Sequence, residues 1–355
     1  MITAIILEVA VFALVSVLFI RTAIFKAQKV EDREVDEISV DGYAAAHALA
    51  EMIRCKTVSS RDKSLEDERE FEKFKNLLPT LFPKVYSICE LIEVGDRSIL
   101  IRWRGKSSES PTVLMAHYDV VSAEEGAWEK PAFDGVIENG VLWGRGAIDT
   151  KVTLNAILFA AEKLIKEGFT PERDIYMAFG GDEEINGHGV ADIVRLFVER
   201  KIEPGIVLDE GGAVVEGVFP GVKQPCTLVG IAEKGMLNIE YSALSGGGHS
   251  SSPEPHTPIG KLCCACVRVE SRPFKFRITP PAKKMFDVLG RHSSFAYRLI
   301  FANLWFFSPM LSLMTKNPGV SLTRSFARLQ PSLKWRAQRG LTLYRLSRKW
   351  CQTTE

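Results

Sequence analysis

Thr112-Val113-Leu114-Met115-Ala116-His117-Tyr118-Asp119 is an apolar run that stops at a histidine and, two residues on, an acid. Thr112 to Ala116 carries no charge and no polar alternation, which predicts a short strand buried on both faces. Ile99 to Trp103 upstream, and Ile175 to Phe179 and Ile206 to Leu208 downstream, have the same texture. Between these runs, Val152 to Lys166 places Leu154, Ile157, Leu158, Ala161, Leu164 and Ile165 at helical spacing and stops at Gly168, a residue suited to a left-handed cap. Val190 to Arg200 repeats the pattern, while Ala44 to Arg54 and Lys63 to Leu78, ending before Pro79, predict two helices ahead of the sheet. Strand alternating with helix predicts an α/β core with right-handed crossovers, in which sites lie beyond the carboxyl ends of the strands.

Four acidic motifs fall at such ends: Met115 to Asp119, Gly144 to Asp149, Gly181 to Glu184 and Leu208 to Gly212. One histidine and several carboxylates suit two zinc-like divalent ions, which take imidazole nitrogen and carboxylate oxygen and share a bridging carboxylate. His117 and Asp119 are two apart and point the same way on an extended strand end, so His117 can bind an ion while Asp119 orients the ring through its other nitrogen. Asp149 follows Gly144-Arg145-Gly146 and opens a helix, a position equally apt for bridging two ions and for capping. Glu183 and Glu184 repel each other, which raises one pKa and suits a division into a ligand and a general base. Asp209 ends another strand and could complete the first ion's sphere.

The segments MAHYDVV, WGRGAIDTK, GGDEE, VLDEGG and GGGHSS, in this order and spacing, resemble the zinc-dependent carboxypeptidase and aminoacylase family, nearest its carboxypeptidase S and N-acyl-amino-acid hydrolase branch, from about Tyr43 to about Pro318. The resemblance implies a zinc-exopeptidase-like α/β/α sandwich with an inserted α+β lid, usually the dimerising element. It also implies two zinc ions bridged by Asp149, with His117 and Asp209 completing one, Glu184 on the other, Glu183 as general base and Asp119 behind the ligand histidine. His249 matches a lid histidine that reaches the substrate carbonyl and stabilises the oxyanion. The implied reaction is hydrolysis of an amide beside a free carboxylate, as in a peptide with a C-terminal residue or an N-acyl amino acid. A substrate-binding homologue without turnover is the rival reading.

The family's last metal ligand is a histidine after the lid, whereas the final histidine here is His292, so the second zinc site is expected to be incomplete. Past Pro318 the resemblance stops, and Gly319 to Glu355 sets Arg324, Arg328, Lys334, Arg336, Arg339, Arg345, Arg348 and Lys349 against the single acid Glu355. We read this tail as foreign to the fold, following a C-terminal truncation that impairs activity. At the other end, Ile2 to Ile20 is apolar apart from Thr3, Glu8 and Ser16, and about 19 residues at about 1.5 Å each just cross a bilayer core. No basic residue precedes it and Arg21, Lys26 and Lys29 follow, which predicts an uncleaved single-helix anchor with its sidedness open. The expected organisation is anchor 1–22, linker 23–42, catalytic domain 43–232, incomplete lid 233–318 and basic tail 319–355.

The 355 residues carry a net charge of +1, which gives no bulk attraction to nucleic acid, and no such partner is expected. Seven cysteines without a CxxC pair do not form a disulfide framework, and Cys263, Cys264 and Cys266 read as small core residues of a buried helix. Trp128, Phe133 and Trp143 read as aromatic packing around the site.

Overall fold

The computed structural model describes residues 1–27, 38–219, 221–231, 234–243, 256–272, 278–314, 332–338 and 341–351. The chain divides into two compact units: Glu34–Glu210, and Met1–Arg33 with Gly211–Glu355. The sequence places the catalytic-to-lid boundary near Glu233, whereas the units part at Gly211.

Glu34–Glu210 is built on a five-stranded sheet in the order β1 (Glu90–Ile92), β2 (Ser98–Trp103), β6 (Arg173–Gly180), β3 (Ser107–His117) and β7 (Ile206–Leu208). β3, β6 and β7 are mutually parallel, but β2 runs antiparallel to β6 and β1 antiparallel to β2, so the sheet is mixed. Two short strands, β4 (Val136–Glu138) and β5 (Val141–Trp143), pair as a separate hairpin.

Side-chain alternation on the strands separates two cores. Ile99, Ile101, Trp103, Met177 and Phe179 face one way, onto α2 (Gly42–Ile53), α3 (Glu68–Leu81), α4 (Pro83–Ile88) and α5 (Lys151–Lys166). Leu100, Tyr176 and Ala178 face the other, onto Ile193 and Phe197 of α6 (Gly189–Glu199). The result is the α/β/α sandwich that the sequence predicts. Phe71, Phe74 and Phe82 are fully buried in the first core, each contributing about 1.5–3 kcal/mol of transfer free energy.

α3 differs from its expected bounds. Asp67 accepts from the Arg69 amide and fixes a later start, with Glu68 and Glu70 favourably placed in the first turn. The helix runs through Pro79 to Leu81, and burial of Leu78 and Phe82 on either side of the proline outweighs one missing backbone bond. β7 stands at the sheet edge with Ile206, Val207 and Leu208 all exposed.

The other unit holds α1 (Ile2–Ile24), the hairpin β8 (Ala213–Val215) and β9 (Cys226–Leu228), β10 (Lys234–Ala243) and four helices. These are α7 (Pro258–Ser271), α8 (Pro280–His292), α9 (Phe295–Ala302) and α10 (Leu304–Met314). The basic tail, read from sequence as foreign to the fold, is placed in two strands, β11 (Ser332–Gln338) and β12 (Leu341–Cys351), with β12 antiparallel to β10 over its whole length. On α7, Cys266 is buried, Cys263 half-buried and Cys264 exposed, so the cysteine helix has only one face in the core. Among the described residues, Cys55, Cys89, Cys226, Cys263 and Cys264 carry free thiols.

Candidate metal centre

Parallel pairing brings three of the four motifs together. His117 ends β3 level with Gly180 of β6, and Leu114 of β3 lies level with Leu208 of β7, so all three strands release their chains at one end of the sheet. Glu183 and Glu184 follow β6 on a single 3-10 turn. Asp149 arrives from the other side, on the turn that opens α5, where its peptide bond to Thr150 is cis.

The donor atoms of His117, Asp149 and Glu184 all lie within 4.8 Å of one another. His117 Nε2 stands 3.0 Å from Asp149 Oδ1, 3.4 Å from Glu210 Oε1 and 3.8 Å from Glu183 Oε2. Its Nδ1 faces the opposite way, 2.9 Å from the Asp119 carbonyl and 3.4 Å from Asp119 Oδ1. An Nδ1–H donated to that carbonyl leaves the Nε2 lone pair aimed into the carboxylates, the tautomer a metal requires.

Asp119 has a second task that its spacing from His117 does not announce. It is completely buried, and its Oδ1 accepts from the Glu183 amide at 3.0 Å while Oδ2 accepts from the Glu184 amide at 3.1 Å and from Ser59 Oγ at 2.7 Å. Asp119 thus orients the histidine through its backbone carbonyl, while its carboxylate pins the turn that carries both glutamates. Tyr118 anchors the same strand end by stacking on Phe74 at 4.8 Å, and the backbone of Gly181 passes so close to its ring that a Cβ would collide with the phenol. Asp182 does not face the cluster; its carboxylate accepts from the amides of His188 and Gly189 and secures the start of α6.

The electrostatics are those of a cation site. Burial alone would push His117 down, but the carboxylates of Asp119 and Glu210 outweigh it and hold the ring up at about 11. Burial raises Glu183, opposed by the His117 charge and reinforced by Asp119, Glu184 and Glu210. Burial and the charge of Asp149 raise Glu184, whereas its contact with His117 lowers Glu210. The carboxylates here repel one another and are relieved by any positive charge in their midst, whether a proton on His117 or a metal ion. Nitrogen from one imidazole and oxygens from two or three carboxylates form a donor set that fits zinc.

Of the residues expected from sequence, His117, Asp119, Asp149, Glu183 and Glu184 are brought together. Asp209 is not: it is exposed and its Oδ1 accepts from the Glu210 amide at 2.9 Å, leaving Glu210 at the cluster in its place. Residues alternate in direction along extended chain, so only one of two adjacent acids can face inward. His249 lies outside the described residues. Ser59 and Glu210 were missed; strand alternation could have found Glu210, while nothing in the sequence links Ser59 to a site 60 residues away. Phe133 is buried beside Val120 and Ala132, and Arg145 stacks over Trp128 at 5.1 Å, so these two of the aromatics expected near the site pack as structure.

Fold and cluster together define a domain of the metallopeptidase class. The chain belongs to peptidase family M20/M25/M40, whose profile matches residues 113–330. It is 37% identical over 313 residues to a probable carboxypeptidase S-like 2 of Dictyostelium discoideum, covering 84% of this chain and 60% of that protein. To the N-fatty-acyl-amino acid synthase/hydrolase PM20D1 of Xenopus tropicalis it is 36% identical, covering 86% of this chain and 61% of the relative. To carboxypeptidase S of Saccharomyces cerevisiae it is 33% identical, covering 69% and 45%. The chain therefore spans about three-fifths or less of these relatives. Among solved structures, an M20 metallo-carboxypeptidase of Sulfolobus solfataricus shares the fold at a TM-score of 0.58 and 15% identity, covering 88% of this chain and 71% of that one. Human carnosine dipeptidase 1 does so at 0.53 and 13%, covering 88% and 70%.

Proposed function

We propose that this chain is a zinc-dependent hydrolase that cleaves an amide beside a free carboxylate, as a carboxypeptidase or an N-acyl-amino-acid hydrolase. The observation that carries the reading is the convergence of His117, Asp149 and Glu184 within 4.8 Å at the carboxyl ends of parallel strands, with Glu183 beside them. These residues and Glu210 would hold the metal, which when bound supplies a Lewis acid for the amide carbonyl and for water. Asp209, which the family resemblance assigns as a ligand, is the rival to Glu210.

Glu183 is the general base. Its half-exposed carboxylate reaches the open side of the cluster, accepts a proton from the attacking water and returns it to the departing amine. A pKa raised by burial and by neighbouring acids moves it toward the range in which both transfers are efficient. Asp119 holds the amides of Glu183 and Glu184 and so fixes where that proton is handled. We assign His249 of the lid to the substrate carbonyl and the lid to a homodimer contact, as the family resemblance implies.

Among the described residues, α1 alone is long and apolar enough to cross a membrane, and we assign it as an anchor. The test is zinc content together with release of amino acid from N-acyl substrates. Bound zinc with turnover that falls by about 10²–10⁴ in Glu183→Gln supports the reading. Turnover unchanged in Glu183→Gln, or persisting after chelation, would overturn it. Zinc and substrate binding without turnover in the wild type would instead identify a binding homologue.

A further inference from the structure

The lid unit presents an aromatic surface that the hydrolase site does not use. Phe295 to Met314, the sequence of α9 and α10, contains one charged residue, Arg298, among Phe, Tyr, Trp, Leu, Ile and Met. Phe295 is 55% exposed, Tyr297 39%, Trp305 55% and Phe306 42%. The rings of Trp305 and Phe306 adjoin at 5.7 Å, and exposed apolar patches of this kind mark an interaction surface.

The surface is continuous with α1 within one compact unit. Asn303, fully buried, donates from Nδ2 to the Leu18 carbonyl at 3.1 Å and to Thr22 Oγ1 at 3.3 Å. The Arg21 guanidinium donates to the Ala302 carbonyl at 3.1 Å. The rings of Phe19 and Phe295 meet at 6.0 Å, and Arg291 of α8 stacks on Phe25 at 4.5 Å while donating to the Lys26 carbonyl. These contacts run from Leu18 to Lys26, so they engage only the last two turns of α1 and the residues just beyond.

That position sets a depth. The 23 residues of α1 are about 34 Å long against a hydrocarbon core of about 30 Å, so the segment from Leu18 to Lys26 lies at one boundary of the bilayer. Trp and Tyr concentrate at that boundary, where an amphipathic ring meets both phases. Arg21 and Lys26 bring cations to the same level, matching anionic headgroups, whereas Arg291 is paired with Asp287 and Arg298 donates to the Ser293 carbonyl.

We propose that α9 and α10 form a second membrane contact, laying Phe295, Trp305 and Phe306 into the headgroup boundary of an anionic bilayer beside α1. The inference rests on α1 being an anchor. It places the lid unit on the membrane surface, so the chain is held by a helix and by a surface-bound helix pair.

The test uses the full-length chain in vesicles of phosphatidylcholine with a minority of phosphatidylserine. An environment-sensitive fluorescent amino acid is placed at position 306, at Val11 on α1, or at Val198, which is exposed on α6. Lipids carry a nitroxide quencher at the headgroup or in the middle of the acyl chain. The expected result is loss of emission at 306 with the headgroup quencher, loss at Val11 with the mid-chain quencher, and no loss at Val198 with either. Quenching at Val11 with water-like emission at 306 would overturn the second contact and leave the anchor standing. Blue-shifted emission at 306 that no lipid quencher touches would also overturn it, by showing the surface covered by a second copy of the chain. No quenching at Val11 would overturn the anchor and this inference with it.

Discussion

Asp119→Asn is the substitution that most directly tests how the centre is assembled, because it keeps the shape of the side chain and removes only its charge and one acceptor. The carboxylate accepts from the Glu183 amide at 3.0 Å, the Glu184 amide at 3.1 Å and Ser59 Oγ at 2.7 Å, and Oδ1 lies 3.4 Å from His117 Nδ1. With the new amide nitrogen at the Oδ2 position, Ser59 can rotate its hydroxyl to accept, but the Glu184 N–H faces another donor. With it at the Oδ1 position, the Glu183 N–H and the His117 ring are opposed instead. Either way one buried donor loses its partner, at about 1–3 kcal/mol, and the surviving bonds fall from charged to neutral strength at about another 1 kcal/mol. Loss of the negative charge relieves repulsion on Glu183 and Glu184, which Asp119 helps to raise, and offsets part of this cost. The expected destabilisation is about 2–3 kcal/mol, read from urea midpoints in the detergent-solubilised, chelator-treated chain. Zinc affinity should fall by about 10–100-fold as both glutamates lose their orientation, while the His117 ring keeps its bond to the Asp119 carbonyl. If stability stays within about 0.5 kcal/mol of wild type and zinc affinity is unchanged, Asp119 does not organise the site.

Gly181→Ala forces a Cβ into the Tyr118 phenol and to 2.8 Å from the Arg97 carbonyl, and should cost about 1–3 kcal/mol by the same denaturation measurement. A neutral result would mean that the chain leaving β6 at Gly181 does not pass against Tyr118 as described. In the metal-free chain, His117 is raised from 6.5 to about 11, so its contribution to stability is complete below pH 6.5 and is lost as pH rises toward 11. The raised Glu183 and Glu184 act in the same direction above the ordinary carboxylate range, whereas the lowered Glu210 stabilises above that range and loses its contribution on acidification. Urea midpoints should therefore fall on alkaline titration in wild type and much less in His117→Gln; parallel curves would refute the assignment. Burial raises the Cys55 thiol and holds that of Cys89 at about 11, so maleimide followed by peptide mapping should label exposed Cys264 well before either. Early labelling of Cys55 would show that the first core is not closed.

What was legible in the sequence follows the physics of each segment. α5 was clear because a dozen residues of helical spacing ended at Gly168, whose φ of +77° only glycine adopts freely. β3 and β6 were clear because their buried stretches are apolar without interruption; β7 was found by the same apolar texture although, as an edge strand, it is exposed rather than buried on both faces. β1, β4, β5, β8 and β9 were not, since three-residue strands offer too little pattern to separate from loop. The antiparallel direction of β2 was also hidden, because a buried strand has the same composition whichever way it runs. In the site, residues adjacent to a strand end were found and those that converge from a distance were not: Ser59 reaches Asp119 only because an isolated bridge pairs Val58 with Val120.

The choice between Asp209 and Glu210 shows how narrowly such a reading can turn. β7 pairs with β3 through Leu114 and Leu208, and along extended chain Leu208 and Glu210 share a side while Asp209 points away. A shift of one residue in the chain after Leu208 would exchange the two acids at the cluster. Geometry favours Glu210, whose Oε1 lies 3.4 Å from His117 Nε2, and the resemblance favours Asp209, so the two warrants meet in one pair of variants. If the chain leaves β7 as described, Glu210→Gln should weaken zinc binding by at least about tenfold while Asp209→Asn leaves it within about twofold. Competition titration with a colorimetric chelator measures both on the same preparation. The opposite ranking would mean that metal binding draws Asp209 inward by a one-residue change of direction, and that Glu210 occupies the cluster only while a proton on His117 stands in for the ion.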